Sequence, residues 1–569
     1  MKQLLRLGSI TRRYSTKPFY VTSPIFYVNA KPHLGHLYSM ALCDIRSRWE
    51  KLDSTKQAYF LTGTDEHGLK IQAVAEAKGV SPKVLVDDVS QNFKVLAEKL
   101  NIKYDRFIRT TDPDHVETVK YFWKLMESKG LIYQGSHSGW YSVSDETFYP
   151  ETQIEEVDGR MISKETKNEV VYQDEVNYFF KLSHFQQQLI DHLENNPEFI
   201  IPKVKYNELL RELKEAPLQD LSVSRPSSRL TWGIEVPNDP SQKIYVWFDA
   251  LLNYISAAGF PFPRDDKTQA FITPAENIWP ATHVIGKDII RFHCIYWPIF
   301  LMAGDIELPR QVVVHSHWLS EGFKMSKSIG NVVDPIETYE YYGQDALRFF
   351  LAEYSNIEND CNFSEQSFVD SRDNLIGKYA NLMTRCGGKA FNIKQSVDLY
   401  NNGEFTNIEE LITEVKNAEK IIEIKNKLIN SLNSLHGKMD DKLVEFNHMK
   451  AIHEWWAVTE QANLMFQASE PWTYTKLIKS ETDAETKQMY QQLQSYYVFL
   501  ASESCRILSI LIQPVIPKLA GQILDRLDVL PEHRTIQYAR VGADKRYGTN
   551  ANNKSHPIPI VRVPIRTKE

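Results

Sequence analysis

His33-Leu34-Gly35-His36 is the stretch of this sequence that decides the fold. It lies between an extended apolar run, residues 19–28, and a segment, residues 37–49, whose apolar residues recur with the period of a helix. The pattern predicts a strand, a loop and the start of a helix. A helix N-terminus has unpaired N–H groups and the positive end of the helix dipole, and Gly35 lets a nucleotide approach the backbone. The junction therefore suits a phosphate.

The two histidines of this stretch are candidate catalytic residues. The imidazoles of His33 and His36 can donate hydrogen bonds to the charge that develops on a phosphoryl group. Surface or half-buried histidines beside a turn are the alternative, and a short motif does not decide between the two without its context.

Lys324-Met325-Ser326-Lys327-Ser328 supplies that context much later in the chain. Two lysines on a short loop that contains serines can bring compact positive charges onto the β- and γ-phosphates of ATP. A solvated loop is the alternative for this run taken alone.

A carboxylate follows the second predicted strand, residues 59–63. The carboxyl ends of strands in an open α/β sheet face the usual ligand crevice, so Asp65 is a candidate to hold an ammonium group there. The alternative is that Asp65 caps the helix that begins near Leu69.

Two later segments predict further pocket residues. We interpret residues 243–248 as a strand and residues 249–254 as a turn into a helix, where Trp247, Ala250 and Tyr254 line a pocket wall or pack in the core. In the next strand-to-helix unit, residues 283–293, Ile289 and His293 are four positions apart and share a helix face; a lone histidine there is more often a core residue.

Composition sets broad limits. The 569 residues, with 42% hydrophobic and 24% charged residues, are enough for three or four globular domains. No apolar run approaches the length of a membrane span, so we expect no membrane contact. The net charge of −7 gives no global sign of nucleic-acid binding, which leaves RNA contact to local basic patches.

The N-terminus and the cysteines indicate a compartment. Residues 1–43 contain no acidic residue, while arginine, lysine and serine are present in the first seventeen, as in a mitochondrial transit peptide; a basic leader without function is the alternative. Five cysteines lie far apart without a C-x-x-C pair, which suits a reducing compartment such as the mitochondrial matrix.

The pattern along the chain predicts its domain organisation. Strand–helix alternation is interrupted from about residue 133, resumes at 243, and gives way after the lysine loop to amphipathic helices. The tail beyond His533 has eight Lys or Arg against two acidic residues, and is either a flexible segment that touches RNA or a solvated tail.

The predicted parts are a transit peptide (1–14), the first half of a nucleotide-binding fold (19–132), an inserted connective domain (133–242), the second half of that fold (243–320), the lysine-loop and stem-contact region (321–370), a helical domain (371–530) and a basic C-terminal extension (531–569).

The histidine and lysine motifs, in this order, resemble the paired signatures of class I aminoacyl-tRNA synthetases. Within that class the sequence is most similar to the methionyl-tRNA synthetases, over residues 19–472, and its N-terminus suggests the mitochondrial type. The resemblance implies a Rossmann-like α/β catalytic domain with a parallel sheet, split by an inserted domain and followed by an α-helical anticodon-binding bundle. It also implies a ligase that forms methionyl-adenylate from L-methionine and ATP, with Mg²⁺, and charges tRNA(Met).

The resemblance implies roles for residues at matching positions. The catalytic set is His33, His36, Lys324 and Lys327. The ATP-binding set is Gly35, Gly286, Asp288, Met325, Ser326 and Ser328. The methionine-binding set is Ile25, Tyr27, Asp65, Trp247, Ala250, Tyr254, Ile289 and His293, with Asp65 holding the α-ammonium group. The anticodon-binding set is Asn381, Arg385 and Trp472, each of which is alternatively ordinary bundle surface.

The sequence departs from the family at two places. Leu251 stands where the family has proline in the pocket helix. Many members have a cysteine knuckle for zinc in the inserted domain, but residues 140–146 here contain no cysteine, so we expect no metal site. We also expect a monomer.

Two alternatives stay open. Synthetases for isoleucine, leucine, valine or cysteine would bring a large editing insertion or a zinc-binding cysteine set, and neither is visible. A non-catalytic RNA-binding or structural protein on the same fold would have no chemical reason to keep both motifs.

Overall fold

A computed structural model describes most of the chain. The described residues are 17–142, 147–149, 151–157, 159–164, 166–266, 271–320, 322–325, 331–549 and 560–566. The predicted transit peptide, residues 1–14, lies outside them.

The strands are short and are distributed over the first two thirds of the chain. In chain order they are β1 (Phe19–Tyr27), β2 (Ala58–Asp65), β3 (Arg106–Arg109), β4 (Ile132–Ser142), β5 (Thr147–Tyr149), β6 (Ile154–Val157), β7 (Arg160–Ser163), β8 (Val171–Phe180), β9 (Ile200–Ile201), β10 (Leu221–Ser222), β11 (Ser224–Pro226), β12 (Glu235–Val236), β13 (Asp239–Ile244), β14 (Ala281–Gly286), β15 (Gln311–His315), β16 (Trp318–Ser320), β17 (Phe323–Lys324) and β18 (Cys361–Phe363).

Helices alternate with the strands in the first half and dominate the second. In chain order they are α1 (Leu34–Lys51), α2 (Leu69–Lys78), α3 (Pro82–Lys99), α4 (Pro113–Ser128), α5 (Gln186–Asn195), α6 (Lys203–Glu215), α7 (Val246–Leu251), α8 (Asn253–Ser256), α9 (Trp297–Ala303), α10 (Pro335–Tyr342), α11 (Gln344–Glu353), α12 (Glu365–Asn374), α13 (Asn381–Cys386), α14 (Ile393–Asn401), α15 (Ile408–Thr413), α16 (Ala418–Leu443), α17 (His448–Ser469), α18 (Pro471–Ser480), α19 (Ala484–Ile512) and α20 (Pro517–Arg526).

A parallel sheet is the centre of the N-terminal half of the chain. Within the described residues it has six strands in the order β3-β2-β1-β14-β15-β9. All of its neighbouring strands are parallel, which requires helical crossovers and buries both faces of the sheet. One hydrophobic core includes α1 and α3, and a second, with α4 and α7–α9, includes residues on the other side of β1. The predicted α/β class and helical C-terminal region are confirmed.

The segment predicted as an inserted domain has its own sheet. Strands β10, β8, β4 and β5 pair antiparallel to each other in that order. However, β9, which lies within residues 133–242, pairs in parallel with β15 at the edge of the main sheet. That part of the segment therefore belongs with the parallel sheet, and the domain boundaries stay predictions.

The prediction of a strand over residues 243–248 holds only for residues 243 and 244 and is wrong for the other four. Strand β13 ends at Ile244, pairs with β11 and β12 rather than the parallel sheet, and is followed at once by helix α7. Periodicity cannot separate a short buried strand from a buried helix in such an apolar run, which explains the error.

The C-terminal helices surround one long apolar helix. Within the described residues, α19 is long and apolar enough to cross a membrane, with a mean hydropathy of 1.2 over its most apolar window, and 94% of that window is buried in the protein. The expectation of no such run is therefore wrong. The helix packs against α17, α18 and α20, and its apolar residues form the core of the bundle.

The described part of the C-terminal extension packs against the protein, unlike a flexible or solvated tail. Arg372 donates a hydrogen bond from Nη2 to the carbonyl of Val563 over 2.7 Å, and Arg566 forms an ion pair of 2.9 Å with Glu365. Tyr547 is fully buried. The contacts of Val563 and Arg566 hold this part of the extension against α12.

Candidate active site

The two histidines of the deciding stretch cap helix α1. His33 is the N-cap residue, and its Nδ1 accepts a hydrogen bond from the backbone N–H of Gly35 over 3.1 Å. The Nδ1 of His36 accepts from the backbone N–H of His33 over 3.0 Å, which completes a reciprocal capping box. The two ring centroids are 3.8 Å apart.

These hydrogen bonds fix the proton on each ring. Because Nδ1 is an acceptor in both His33 and His36, a neutral ring has its proton on Nε2, where it can be donated to a phosphate oxygen. Burial is the main reason that the pKa of His36 lies well below its usual value, and the neighbouring His33 lowers it further. His36 is therefore a neutral hydrogen-bond donor at physiological pH.

Gly35 cannot be replaced without moving this cap. A Cβ at Gly35 would lie 3.0 Å from Cε1 and 3.1 Å from Nδ1 of His33. A side chain would thus press on the imidazole that the glycine N–H positions.

The predicted ligand residues of the first strands lie at one edge of the sheet. Tyr27 ends β1, and its register partner Asp65 ends β2. Asp65 is buried, and its field raises the pKa of Tyr254, although burial is the main cause of that increase. The helix that follows, α2, has Gly68 rather than Asp65 at its N-cap, so the capping alternative for Asp65 is wrong.

Tyr254 and His293 form the buried polar wall of the predicted methionine pocket. Nδ1 of His293 lies 3.0 Å from the carbonyl of Ile289, which can only accept, so Nδ1 has the proton and Nε2 accepts from the Tyr254 hydroxyl over 2.7 Å. Burial lowers the pKa of His293 to about 4. The wall is therefore uncharged at neutral pH.

Aromatic rings form the rest of the pocket. Trp247 stacks on Phe292 with centroids 3.6 Å apart, and Trp247 meets the His293 ring edge-on at 6.3 Å. Ala250 is buried, whereas Ile25 and Ile289 are partly buried against the same core. Leu251, at the position of the family's proline, points into that core and is 1% exposed.

Sequence reasoning missed two residues behind this wall, His283 and Phe292. Trp297 donates to Nε2 of His283 over 3.0 Å, so His283 donates from Nδ1 to the Thr22 hydroxyl over 2.8 Å. The His283 and Tyr254 rings are 4.2 Å apart. The apolar run 281–286 predicts a buried strand, but it does not predict what a histidine within it contacts.

Two of the predicted ATP-binding residues, Gly286 and Asp288, lie where β14 ends. Gly286 is the last residue of β14, and a short 3₁₀ turn, Lys287–Ile289, follows it. A carboxyl oxygen of Asp288 lies 3.0 Å from Nε2 of His317, and Lys287 pairs with Asp360 over 2.7 Å. This edge also contains the histidine cap of α1, because β1 and β14 are adjacent.

The lysine loop is described only at its start. Lys324 ends β17, and Met325 is partly buried against the core. Ser326, Lys327 and Ser328 lie outside the described residues, so their roles stay predictions. Among the residues that are described, no group of three or more potential metal ligands is found.

The predicted anticodon readers form a cluster on the bundle. Asn381 and Arg385 lie one turn apart on α13, and Asn381 is exposed. The Arg385 guanidinium lies 4.8 Å from the ring centre of Phe466 and 5.7 Å from that of Trp472, which is 37% exposed at the start of α18. Phe466 is a further aromatic residue that sequence reasoning missed.

Residues 19–387 match the family model described as "tRNA synthetases class I (M)". The chain belongs to this family. The membership and the enzyme class predicted from the two motifs are confirmed.

Relatives extend the similarity to the whole chain. The mitochondrial methionine–tRNA ligase of Candida albicans is 59% identical over 100% of both chains, and that of Saccharomyces cerevisiae is 45% identical over 99% of both. The fold is similar to that of methionyl-tRNA synthetase from Mycobacterium tuberculosis in complex with methionyl-adenylate, with a TM-score of 0.81 and 36% identity over 95% of this chain and 100% of that one.

Proposed function

We propose that this chain joins L-methionine to the 3′-terminal adenosine of tRNA(Met) in two steps, with methionyl-adenylate as the intermediate, for translation in the mitochondrial matrix. Family membership and full-length similarity to mitochondrial methionine–tRNA ligases support the reaction and the organelle. The observation that carries the proposal is geometric: the histidine cap, Asp65 and the neutral aromatic pocket lie at one edge of the parallel sheet.

In the first step the methionine carboxylate attacks the α-phosphorus of ATP, and the bond to the β-phosphate oxygen breaks. The nucleophile is already ionised, so no general base is needed. Catalysis then depends on positioning and on stabilising charge. We assign the Nε2–H groups of His33 and His36 to the phosphate oxygens, on which negative charge rearranges in the transition state.

We assign Lys324 and Lys327 to the departing pyrophosphate, and Gly35, Gly286, Asp288, Met325, Ser326 and Ser328 to the rest of ATP. Mg²⁺, which prefers substrate phosphates to an all-protein cage, would be held by the phosphates of ATP at this site and would neutralise part of their charge. We propose no structural zinc, because residues 140–146 offer no thiolate.

Methionine selection follows from the pocket chemistry. A thioether is soft and polarisable and makes favourable contacts with aromatic rings, which Trp247 provides. His293 and Tyr254 are neutral and satisfy each other's hydrogen bond, so the pocket presents no charge to an apolar side chain. The carboxylate of Asp65 is assigned to the α-ammonium group, and Ile25, Tyr27, Ala250 and Ile289 complete the walls.

In the second step a ribose hydroxyl of the tRNA's terminal adenosine attacks the carbonyl carbon of the adenylate, and AMP leaves. We propose that the bundle reads the anticodon through Asn381, Arg385 and Trp472. The exposed Trp472 ring would stack a base, and the amide and guanidinium would bond base edges. We further propose a monomer without membrane contact, in line with the burial of α19 in the bundle.

The deciding experiment is amino-acid-dependent ATP–pyrophosphate exchange with all twenty amino acids, on the chain lacking residues 1–14, with Lys327→Ala as control. We expect exchange with methionine alone, lost in the control. Exchange with another amino acid would refute the pocket assignment. No exchange with any amino acid, even after addition of tRNA, would favour a non-catalytic RNA-binding protein.

A further inference from the structure

Three side chains with no part in the assigned reaction form a buried cluster beneath the methionine pocket. Asp249 is 1% exposed; its Oδ2 lies 2.7 Å from Nδ1 of His67, and its Oδ1 lies 2.7 Å from Nε2 of His115. His115 is fully buried and His67 nearly so. We call His67, Asp249 and His115 the buried triad.

Both ring nitrogens of His115 have hydrogen-bond partners. Nδ1 lies 3.0 Å from the Ser256 hydroxyl, which is also 2.8 Å from the carbonyl of Leu252. Nε2 donates to Oδ1 of Asp249 over 2.7 Å. One imidazole ring therefore connects Asp249 to Ser256.

The surroundings of Asp249 favour its ionised form. Burial raises the pKa of this group, but His67 and His115 lower it by more, and the result is a pKa below the usual value for aspartate. A carboxylate at this depth is stable only when its hydrogen-bond sites are filled, as they are here by His67 and His115.

The buried triad joins the segments that bear the pocket residues. His67 is two positions after Asp65, the residue assigned to the ammonium group. Asp249 lies on α7 between Trp247 and Ala250. His115, from α4, contacts both Asp249 on α7 and Ser256 on α8, the helix of Tyr254.

We propose that the buried triad positions the methionine pocket, with Asp249 as the central positioning residue that sets α7 and α8 at a fixed distance from Asp65. This inference rests on the proposed function. The side chain and the ammonium group of methionine must be bound at once. A shift of α7 and α8 relative to Asp65 therefore weakens methionine binding. The ATP site near β14 is unchanged by such a shift. No member of the triad is a catalytic residue.

The test is Asp249→Asn, which keeps the shape of the side chain and removes its charge. In methionine-dependent exchange we expect KM for methionine to rise about tenfold, as displacements well below 1 Å change binding on this scale. KM for ATP should change less than about twofold. Active-site titration normalises the rates, so that loss of folded protein lowers the active fraction and not KM.

Asp345→Asn is the matched control. Asp345 is also a buried aspartate, but it accepts from the backbone N–H of Leu519 at the bundle and does not contact the pocket. We expect this variant to lose stability with KM for methionine unchanged. An unchanged KM for methionine in Asp249→Asn, or a parallel rise of both KM values, would overturn the inference.

Ser256→Ala keeps the inference testable if Asp249→Asn does not fold. It retains the contacts of Asp249 with both histidines and removes the hydroxyl that His115 and the carbonyl of Leu252 share, and we expect KM for methionine to rise about threefold, the effect of the lost hydrogen bond to His115. No change there would also overturn it. If the wild-type chain itself shows no methionine-dependent exchange, the proposed function fails, which is a result distinct from failure of the triad.

Discussion

Replacing Arg348 by methionine tests how the catalytic half is fastened to the bundle. Arg348 is fully buried, and its Nη2 lies 2.6 Å from a carboxyl oxygen of Asp44 on helix α1. The same guanidinium donates to the carbonyls of Pro514 and Val515, between α19 and α20, over 2.8 Å each, and to Leu100 over 3.2 Å. One side chain thus joins three parts of the molecule.

The free-energy cost follows from this burial. Removing one partner of a buried ion pair costs about 3–5 kcal/mol. Arg348→Met leaves Asp44 paired only with the partly exposed Arg48 and leaves three buried carbonyls without their donor, so we expect a cost near the lower end of that range. Arg48 offers a matched control, because it bonds the same carboxylate from one helical turn away but is 22% exposed. Solvent screening reduces the cost of Arg48→Met to about 1 kcal/mol or less.

Urea unfolding followed by tryptophan fluorescence measures both variants, and the midpoint shift multiplied by the slope of the transition gives each cost. We also expect Arg348→Met to lower tRNA charging more than methionine-dependent exchange, since it loosens the junction with the bundle. Equal costs for the two variants, with equal effects on charging and exchange, would refute the argument that Arg348 couples the halves.

Three further predictions concern single side chains. His36→Asn keeps an acceptor for the His33 N–H but removes the Nε2 donor, so kcat of exchange should fall by the equivalent of about 2.7–4 kcal/mol with Tm nearly unchanged; a small kcat effect would contradict the role. His293 has a folded pKa of about 4, below its unfolded value, so the unfolded chain binds the extra proton and stability is lost as pH falls from about 6.5 to 4. The urea midpoint should change less between pH 7 and pH 5 in His293→Gln than in the wild type. An equal change in the two proteins would contradict the prediction. Trp472→Ala should weaken tRNA binding by about 1–3 kcal/mol in charging assays and leave exchange unchanged, whereas a loss of exchange would indicate misfolding.

Local signals were enough to predict the first strand-to-helix junction. The switch from an apolar run to helical period on either side of residues 33–36 is a short-range pattern, and β1 and α1 follow it. Asp65 and Gly286 were also predictable, because both end strands of a parallel sheet and such ends meet at one edge.

Long-range pairing was not predictable from one sequence. Strand β9 has only two residues, and its partner β15 lies more than a hundred positions later. Asp249 is 182 positions from His67 and 134 positions from His115 in the sequence. No local pattern could therefore predict that the two histidines share one carboxylate. Helix α7 was misread because its apolar run fits a strand equally well.

The adjacency of β1 and β14 has a consequence for how the polypeptide is made. The hydrogen bond between Thr22 and His283 joins positions 261 residues apart, so the centre of the sheet closes only when nearly half the chain has left the ribosome. At about 5–20 residues per second, one side of β1 stays unpaired for roughly 13–50 seconds of synthesis. An exposed strand edge is a binding site for chaperones and a route to aggregation. The pairing of β14 with β1 is therefore the step that ends this exposure during synthesis.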